Sequence, residues 1–134
     1  DLSTLILVDC DRFKEINDNH GHLAGDRVLQ SVANLLLAVG GQDDIACRLG
    51  GDEFCLLIQG HSRDEVERII GYIVESARVL QRMHNRPPQM TTLSIGACVI
   101  GAHTDDAWEH WYKQADLALY RAKRQGGNRI EWQD

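Results

Sequence analysis

The sequence predicts an α/β domain of the α+β sandwich type, in which a central, mainly antiparallel sheet is flanked by helices. Three observations carry this expectation. Short apolar runs of strand length alternate with longer stretches whose apolar residues recur at helical spacing. Two of the strand-like runs are joined only by the pair Gly50-Gly51, which reads as a hairpin. The chain has 134 residues, enough for one domain with its own core.

Each element has a local reason. Thr4 to Asp9, "TLILVD", is a short apolar run ending in an acid and reads as a buried strand. The polar stretch that follows, "RFKEINDNHGHLAGD", contains two glycines and reads as a short helical turn and a loop. From Asp26 onward Val28, Leu29, Val32, Leu35, Leu36 and Val39 form one apolar helix face, and Gly40-Gly41 ends it. "DIACRLGGDEFCLLIQ" reads as two strands with Gly50-Gly51 as a two-residue loop. Ser62 with Glu65 has the form of a capping box, and Val66, Ile69, Ile70, Ile73, Ala77 and Leu80 extend a helix to about His84, before Pro87-Pro88. "TTLSIGACVIG" reads as a strand and "DAWEHWYKQADLALYRAKRQGGN" as a helix, with "RIEW" as a last edge strand. The three tryptophans are expected in the core or at its rim. The order strand, helix, strand, strand, helix, strand, helix suits a ferredoxin-like or nucleotidyl-cyclase palm topology.

Composition narrows the function classes. With 43% hydrophobic and 25% charged residues the chain is neither disordered nor fibrous. No apolar run approaches the roughly 20 residues that span a bilayer, and no signal segment opens the chain, so no membrane contact and a cytoplasmic setting are expected, whether or not a longer protein is membrane-anchored. A net charge of −6 argues against a broad nucleic-acid surface, while a small anion can still bind through local cations and a metal. Cys10, Cys47, Cys55 and Cys98 have no C-x-x-C spacing and read as buried, reduced thiols.

Two acidic clusters stand out. Asp9 and Asp11 flank the end of the first strand, and an extended chain there puts alternate side chains on one face. Asp52 and Glu53 lie beside the hairpin tip. Alone, "DCD" suits a strand end or a helix cap and "GGDE" suits a turn. Together, at the mouths of two apolar strands, they point to a site for a hard cation, because clustered carboxylates repel without one and oxygen ligands suit Mg²⁺ or Mn²⁺. Gly50 and Gly51 leave room for a phosphate against the backbone, and Lys14 and Lys123 are candidate phosphate cations.

These stretches resemble the GGDEF family of diguanylate cyclases over nearly the whole chain. "DCDRFKEINDNHGHLAGD" resembles the family's D-x-D-x-F-K-x-x-N-D-x-x-G-H-x-x-G-D, "RLGGDEF" is the signature, and "LSIG" and "ADLALYRAKRQGGN" match later blocks. The resemblance implies that two GTP molecules condense to cyclic di-GMP with release of two pyrophosphates, across a homodimer holding one GTP per subunit. It implies two divalent ions per site, Mg²⁺ or Mn²⁺, held by Asp9, the Cys10 carbonyl and Asp52. Asp52 is implied as a proton acceptor, with Glu53 supporting the site and the choice of base between the acids open. Asn17, Asp26 and His22, with Phe13 from the same block, are implied at the guanine; Lys14, Lys123, Gly50 and Gly51 are implied at the phosphates. The alternative in the same fold is a catalytically silent GTP-binding or protein-interaction module.

Three departures from the family pattern carry expectations. Gly127 stands where A-K-x-x-G-R-N has arginine, so one phosphate cation is missing, with Arg124 or Arg129 as partial substitutes. "GQDD" keeps Asp44 but has Gly41 in place of the arginine of the product-inhibition motif R-x-x-D, so strong feedback inhibition is not expected. The family's leading D-x-L-T-G-L-x-N-R segment is absent, so residues 1–134 are expected to form a single catalytic domain lacking it, with a sensor or dimerisation region outside the chain.

Overall fold

The computed structural model describes residues 2–101 and 108–133. In chain order the described residues form β1 (Ser3–Cys10), α1 (Phe13–His20), α2 (His22–Val39), β2 (Ile45–Gly50), β3 (Glu53–Gln59), α3 (Arg63–Met83), β4 (Leu93–Ile100), α4 (Trp108–Arg124) and β5 (Arg129–Gln133). The sheet order is β2-β3-β1-β4-β5. All neighbouring pairs are antiparallel except β4 with β5. The expected α+β sandwich and its mainly antiparallel sheet are therefore observed. The first two residues of "DAWEHWYKQADLALYRAKRQGGN" lie outside the described residues. No described helix is long and apolar enough to cross a membrane.

Alternation along the strands builds a core on each face. Ile6 and Val8 of β1, Phe54, Leu56 and Ile58 of β3 and Ile95 of β4 pack against Val28, Val32 and Leu36 of α2 and Val66, Ile70 and Ile73 of α3. On the other face Leu5, Leu7, Cys55 and Cys98 meet Ala115 and Leu119 of α4. Helix α3 starts as expected: the Glu65 amide donates to Ser62 Oγ at 3.2 Å, and the Ser62 amide donates to Glu65 Oε1 at 3.1 Å. Trp111 and Trp132 lie at the rims of the two cores, whereas Trp108 is 48% exposed.

The structure corrects three local expectations. Residues 13–20 form a two-turn helix, and α2 begins at His22 rather than Asp26. Ala24 and Gly25 are buried and continue the stripe of Val28, Leu29, Val32 and Leu36, so Gly25 belongs to the helix rather than breaking it. As expected, Gly40 ends α2, in an extended conformation with its amide bonded to Leu36 O at 3.1 Å. The hairpin loop is Gly51-Asp52, because Gly50 still pairs with Glu53 after a register shift between Arg48 and Gly50. Cys47, on the edge strand β2, is exposed, while the other three thiols are buried.

Candidate functional site

Strand β1 delivers the centre of the site. Asp9 is its penultimate residue, opposite Glu53 of β3, so both side chains leave the sheet on the α4 face. The Cys10 amide donates to Asp52 O at 3.3 Å, which ties the end of β1 to the Gly51-Asp52 turn. Gly51 makes the turn with φ +52°, a conformation that costs glycine little. Arg48 braces it, donating from Nε and Nη2 to Gly51 O at 2.8 and 2.6 Å.

Asp9 is only 8% exposed, and its Oδ1 is buried with no hydrogen-bond partner. Its Oδ2 contacts the ammonium of Lys123, which α4 brings over the strand end. Burial first, and then the neighbouring Asp52 carboxylate, raise Asp9 to about 7, although Lys123 pulls the other way. Lys123 is itself pulled down by desolvation, but contact with Asp9 and the charges of Asp52 and Asp11 prevail and raise it. A buried orphan oxygen and two mutually repelling carboxylates fit a cation. No three His, Cys, Asp or Glu side chains converge among the described residues, so any such ion takes its remaining oxygens from backbone, substrate or water. The Cys10 side chain turns into the opposite core, where burial and the acids hold its thiol far above its ordinary range, leaving only its backbone near the site.

The other two acids have different partners. Glu53 Oε1 accepts from the Tyr112 hydroxyl at 2.5 Å, a contact that burial reinforces in keeping the phenol protonated. Asp11 lies on the Asp9 face, as the alternation suggested: its amide still donates to Thr92 O at 2.9 Å beyond the end of β1, before Arg12 turns left-handed with φ +57°. Its carboxylate accepts from Ser94 Oγ at 2.5 Å, Thr92 Oγ1 at 2.7 Å and the Asn128 amide at 2.8 Å, pinning the α4–β5 turn to the end of β1. A Cβ on Gly127 would lie 2.7 Å from that carboxylate. Sequence spacing missed Tyr112, Thr92 and Ser94 because their partners are 59 to 83 residues away.

The expected base-reading residues lie on α1 and α2. Asn17 is half-buried with Oδ1 unpartnered, packed so closely on Gly25 that a Cβ there would sit 1.9 Å from it. Phe13 packs at the core edge beside the same glycine. Asp26 is exposed one residue further on, at the end of a cleft of about 380 Å³ between α2 and β2 that also meets Leu29, Ala33, Arg48 and Phe54. His22 opens α2 and Lys14 lies on α1, both exposed. A second cleft of about 270 Å³ is lined by Asp11, Arg12, Lys123, Gly126 and Gly127. Arg124 is occupied with Tyr120, and Arg129 donates to Gln125. Asp44, which accepts from the Gly41 amide at 2.7 Å and the Gln59 amide at 3.0 Å, closes the α2–β2 loop.

Comparison with known proteins places this geometry in context. Residues 1–129 match the family model described as "Diguanylate cyclase, GGDEF domain". The chain is 37% identical over 131 residues to the diguanylate cyclase DosC of Escherichia coli, covering 96% of this chain and 28% of that protein. It spans about a third of the length of the curated relatives it matches. Among solved structures, the GGDEF domain of PA1120 from Pseudomonas aeruginosa has a TM-score of 0.87 and 34% identity, over 99% of this chain and 83% of that one. The GGDEF domain of DgcB from Caulobacter crescentus, solved in complex with c-di-GMP, has a TM-score of 0.87 and 27% identity, over 98% and 77%.

Proposed function

Because this chain belongs to the GGDEF-domain family of diguanylate cyclases, we propose that it condenses two GTP molecules into cyclic di-GMP, each of two subunits presenting one GTP to the other. The observation that carries the reading is the pairing of Asp9 and Asp52 at the hairpin tip, with a buried Asp9 oxygen left for a cation. In each half-reaction a 3′-oxygen attacks the α-phosphorus of the facing GTP, that phosphorus loses its bond to pyrophosphate, and the hydroxyl proton passes to a carboxylate.

The residues divide this work. Asn17 and Asp26 recognise guanine, the carboxylate accepting from N1 and N2 donors that adenine does not present in that pattern, with His22 and Phe13 beside them. Gly50 and Gly51 let the phosphates approach the turn, and Lys14 stabilises the charge that develops there. Asp9, the Cys10 carbonyl and Asp52 would hold two divalent ions, Mg²⁺ or Mn²⁺. When bound, such ions offset phosphate charge and lower the pKa of the attacking hydroxyl. Asp52 takes the proton: Asp9 is engaged by Lys123 and Glu53 by Tyr112, so Asp52 is the acid least committed to α4. Lys123 exchanges Asp9 for the terminal phosphates, and Arg12, in the same cleft, supplies the cation missing at Gly127. That assigns to Arg12 what spacing alone had assigned to Arg124 or Arg129. Without an arginine at Gly41, and with Asp44 closing its own loop, strong product feedback through this motif is absent.

The test is incubation of purified protein with GTP and Mg²⁺ or Mn²⁺, reading cyclic di-GMP and pyrophosphate. Product from the wild type and none from Asp52→Ala supports the assignment. GTP binding without product at high protein concentration identifies a silent binding module instead.

A further inference from the structure

We propose that Cys47 and Cys55 form an oxidisable dithiol that staples the β2–β3 hairpin and shifts the turn carrying Asp52. The two residues are direct cross-strand partners, and all four cysteines are reduced thiols in this structure. Directly opposed residues of an antiparallel pair project to the same face. Cys47 is exposed on the edge strand, whereas Cys55 is buried against α4. Burial first, and then the adjacent Cys47, push the Cys55 thiol up to about 12. An exposed thiol to meet the oxidant thus stands directly across the strand pair from a buried one to resolve it.

Sheet geometry sets the character of the bond. The Cys10 amide bonds to Asp52 O, so residues 10 and 52 are a hydrogen-bonded pair of the β1–β3 ladder. Alternation makes Leu7 and Cys55 a non-bonded pair, and the Cys55 backbone groups therefore point to β2 and bond to Cys47. A bonded pair has Cα atoms about 5.5 Å apart, within disulfide range, but its Cβ separation of about 5.5 Å exceeds the roughly 3.5–4.5 Å that a disulfide needs. Closing the bond draws the strands together by about 1 Å. Strand β2 lies at the sheet edge and can give way. The next residue is Arg48, whose guanidinium holds Gly51 O, so the displacement passes directly to the turn. Strained cross-strand disulfides of this kind are readily reduced, which makes the modification reversible.

The chemistry needs a peroxide. The Cys47 thiolate attacks one peroxide oxygen, the O–O bond breaks, and hydroxide leaves, giving a sulfenic acid. The Cys55 sulfur then attacks the Cys47 sulfur; the S–S bond forms, the S–O bond breaks, and the oxygen departs as water with the Cys55 proton. Two electrons pass from two thiols to one peroxide, giving one disulfide and two waters.

Hydrogen peroxide is applied to the purified chain, followed by intact mass, peptide mapping and amide exchange. The expected result is a mass lower by two hydrogens, a linked Cys47–Cys55 peptide that dithiothreitol reverses, and faster exchange at residues 51–53. Cys47→Ser, a change at an exposed site, abolishes the linkage without unfolding the chain. Oxidation of Cys47 to sulfinic acid, or its linkage to a second chain while Cys55 stays reduced, would overturn the dithiol. A formed disulfide with unchanged exchange at the turn would overturn the coupling to Asp52.

Discussion

Asp11→Ala removes the anchor between the end of β1 and the turn that follows α4. The carboxylate accepts from two hydroxyls, Ser94 and Thr92, and from the Asn128 amide. Hydrogen bonds to an ionised group are each worth about 1.5–3 kcal/mol, but this carboxylate is only partly buried and its three bonds are not independent. The Ser94 hydroxyl is fully buried and loses its acceptor, which adds a desolvation cost of about 1–3 kcal/mol. The expected loss is about 2–4 kcal/mol, a large part of the roughly 5–15 kcal/mol by which domains are stable. Urea unfolding monitored by tryptophan fluorescence measures it as a lower midpoint at unchanged slope, and thermal unfolding as a fall of about 10 °C. A cycle with Thr92→Val isolates one bond and is expected to show a coupling of about 1 kcal/mol. A loss below about 1 kcal/mol together with zero coupling would refute the anchoring argument.

Three further outcomes follow from the same geometry. For Asp9, a folded-state value of about 7 above the ordinary 3.8 means that the folded chain holds this proton better. Its stabilising contribution is complete below the unfolded value and is lost as pH rises through about 7, by at most about 4 kcal/mol. Metal-free protein in a chelator should therefore lose thermal stability between about pH 4 and pH 7, and Asp9→Asn should flatten that slope; equal slopes in the two proteins would count against the reading. Tyr112→Phe deletes the bond to Glu53 and should cost about 1–2 kcal/mol in denaturant unfolding, no loss meaning that the bond does not persist in solution. Gly25→Ala places a methyl on Asn17 Oδ1, so Asn17 must leave its position and GTP affinity by calorimetry should fall about tenfold. Unchanged affinity would remove Asn17 from the base site.

What was legible in the sequence was governed by neighbours within a turn or a strand. The Ser62–Glu65 box and the stripe of Val66, Ile70, Ile73 and Ala77 located α3 to within a residue, because capping and burial there depend on residues three or four apart. Helix α1 was legible only as a short turn, its extent missed for the opposite reason: it has no buried residue, so no apolar periodicity marks its length. The loop register slipped by one because the irregularity between Arg48 and Gly50 is a property of the β2–β3 pairing rather than of either strand alone.

The site shows the same division more sharply. The pattern located four acids, but it could not assign their partners, since those come from β4 and α4, far along the chain. Lys123 engages Asp9, Tyr112 engages Glu53, and Ser94, Thr92 and Asn128 engage Asp11. These contacts distinguish one carboxylate that anchors a turn, one held by a phenol and one buried beside a like charge. Asp52, half-buried on a turn between two strands, remains the acid that moves with the hairpin, and its position depends on how Arg48 grips Gly51. A change in the β2–β3 ladder therefore acts on Asp52 and on Glu53, which pairs with Gly50, before it reaches Asp9 or Asp11, which are held from α4 and β4.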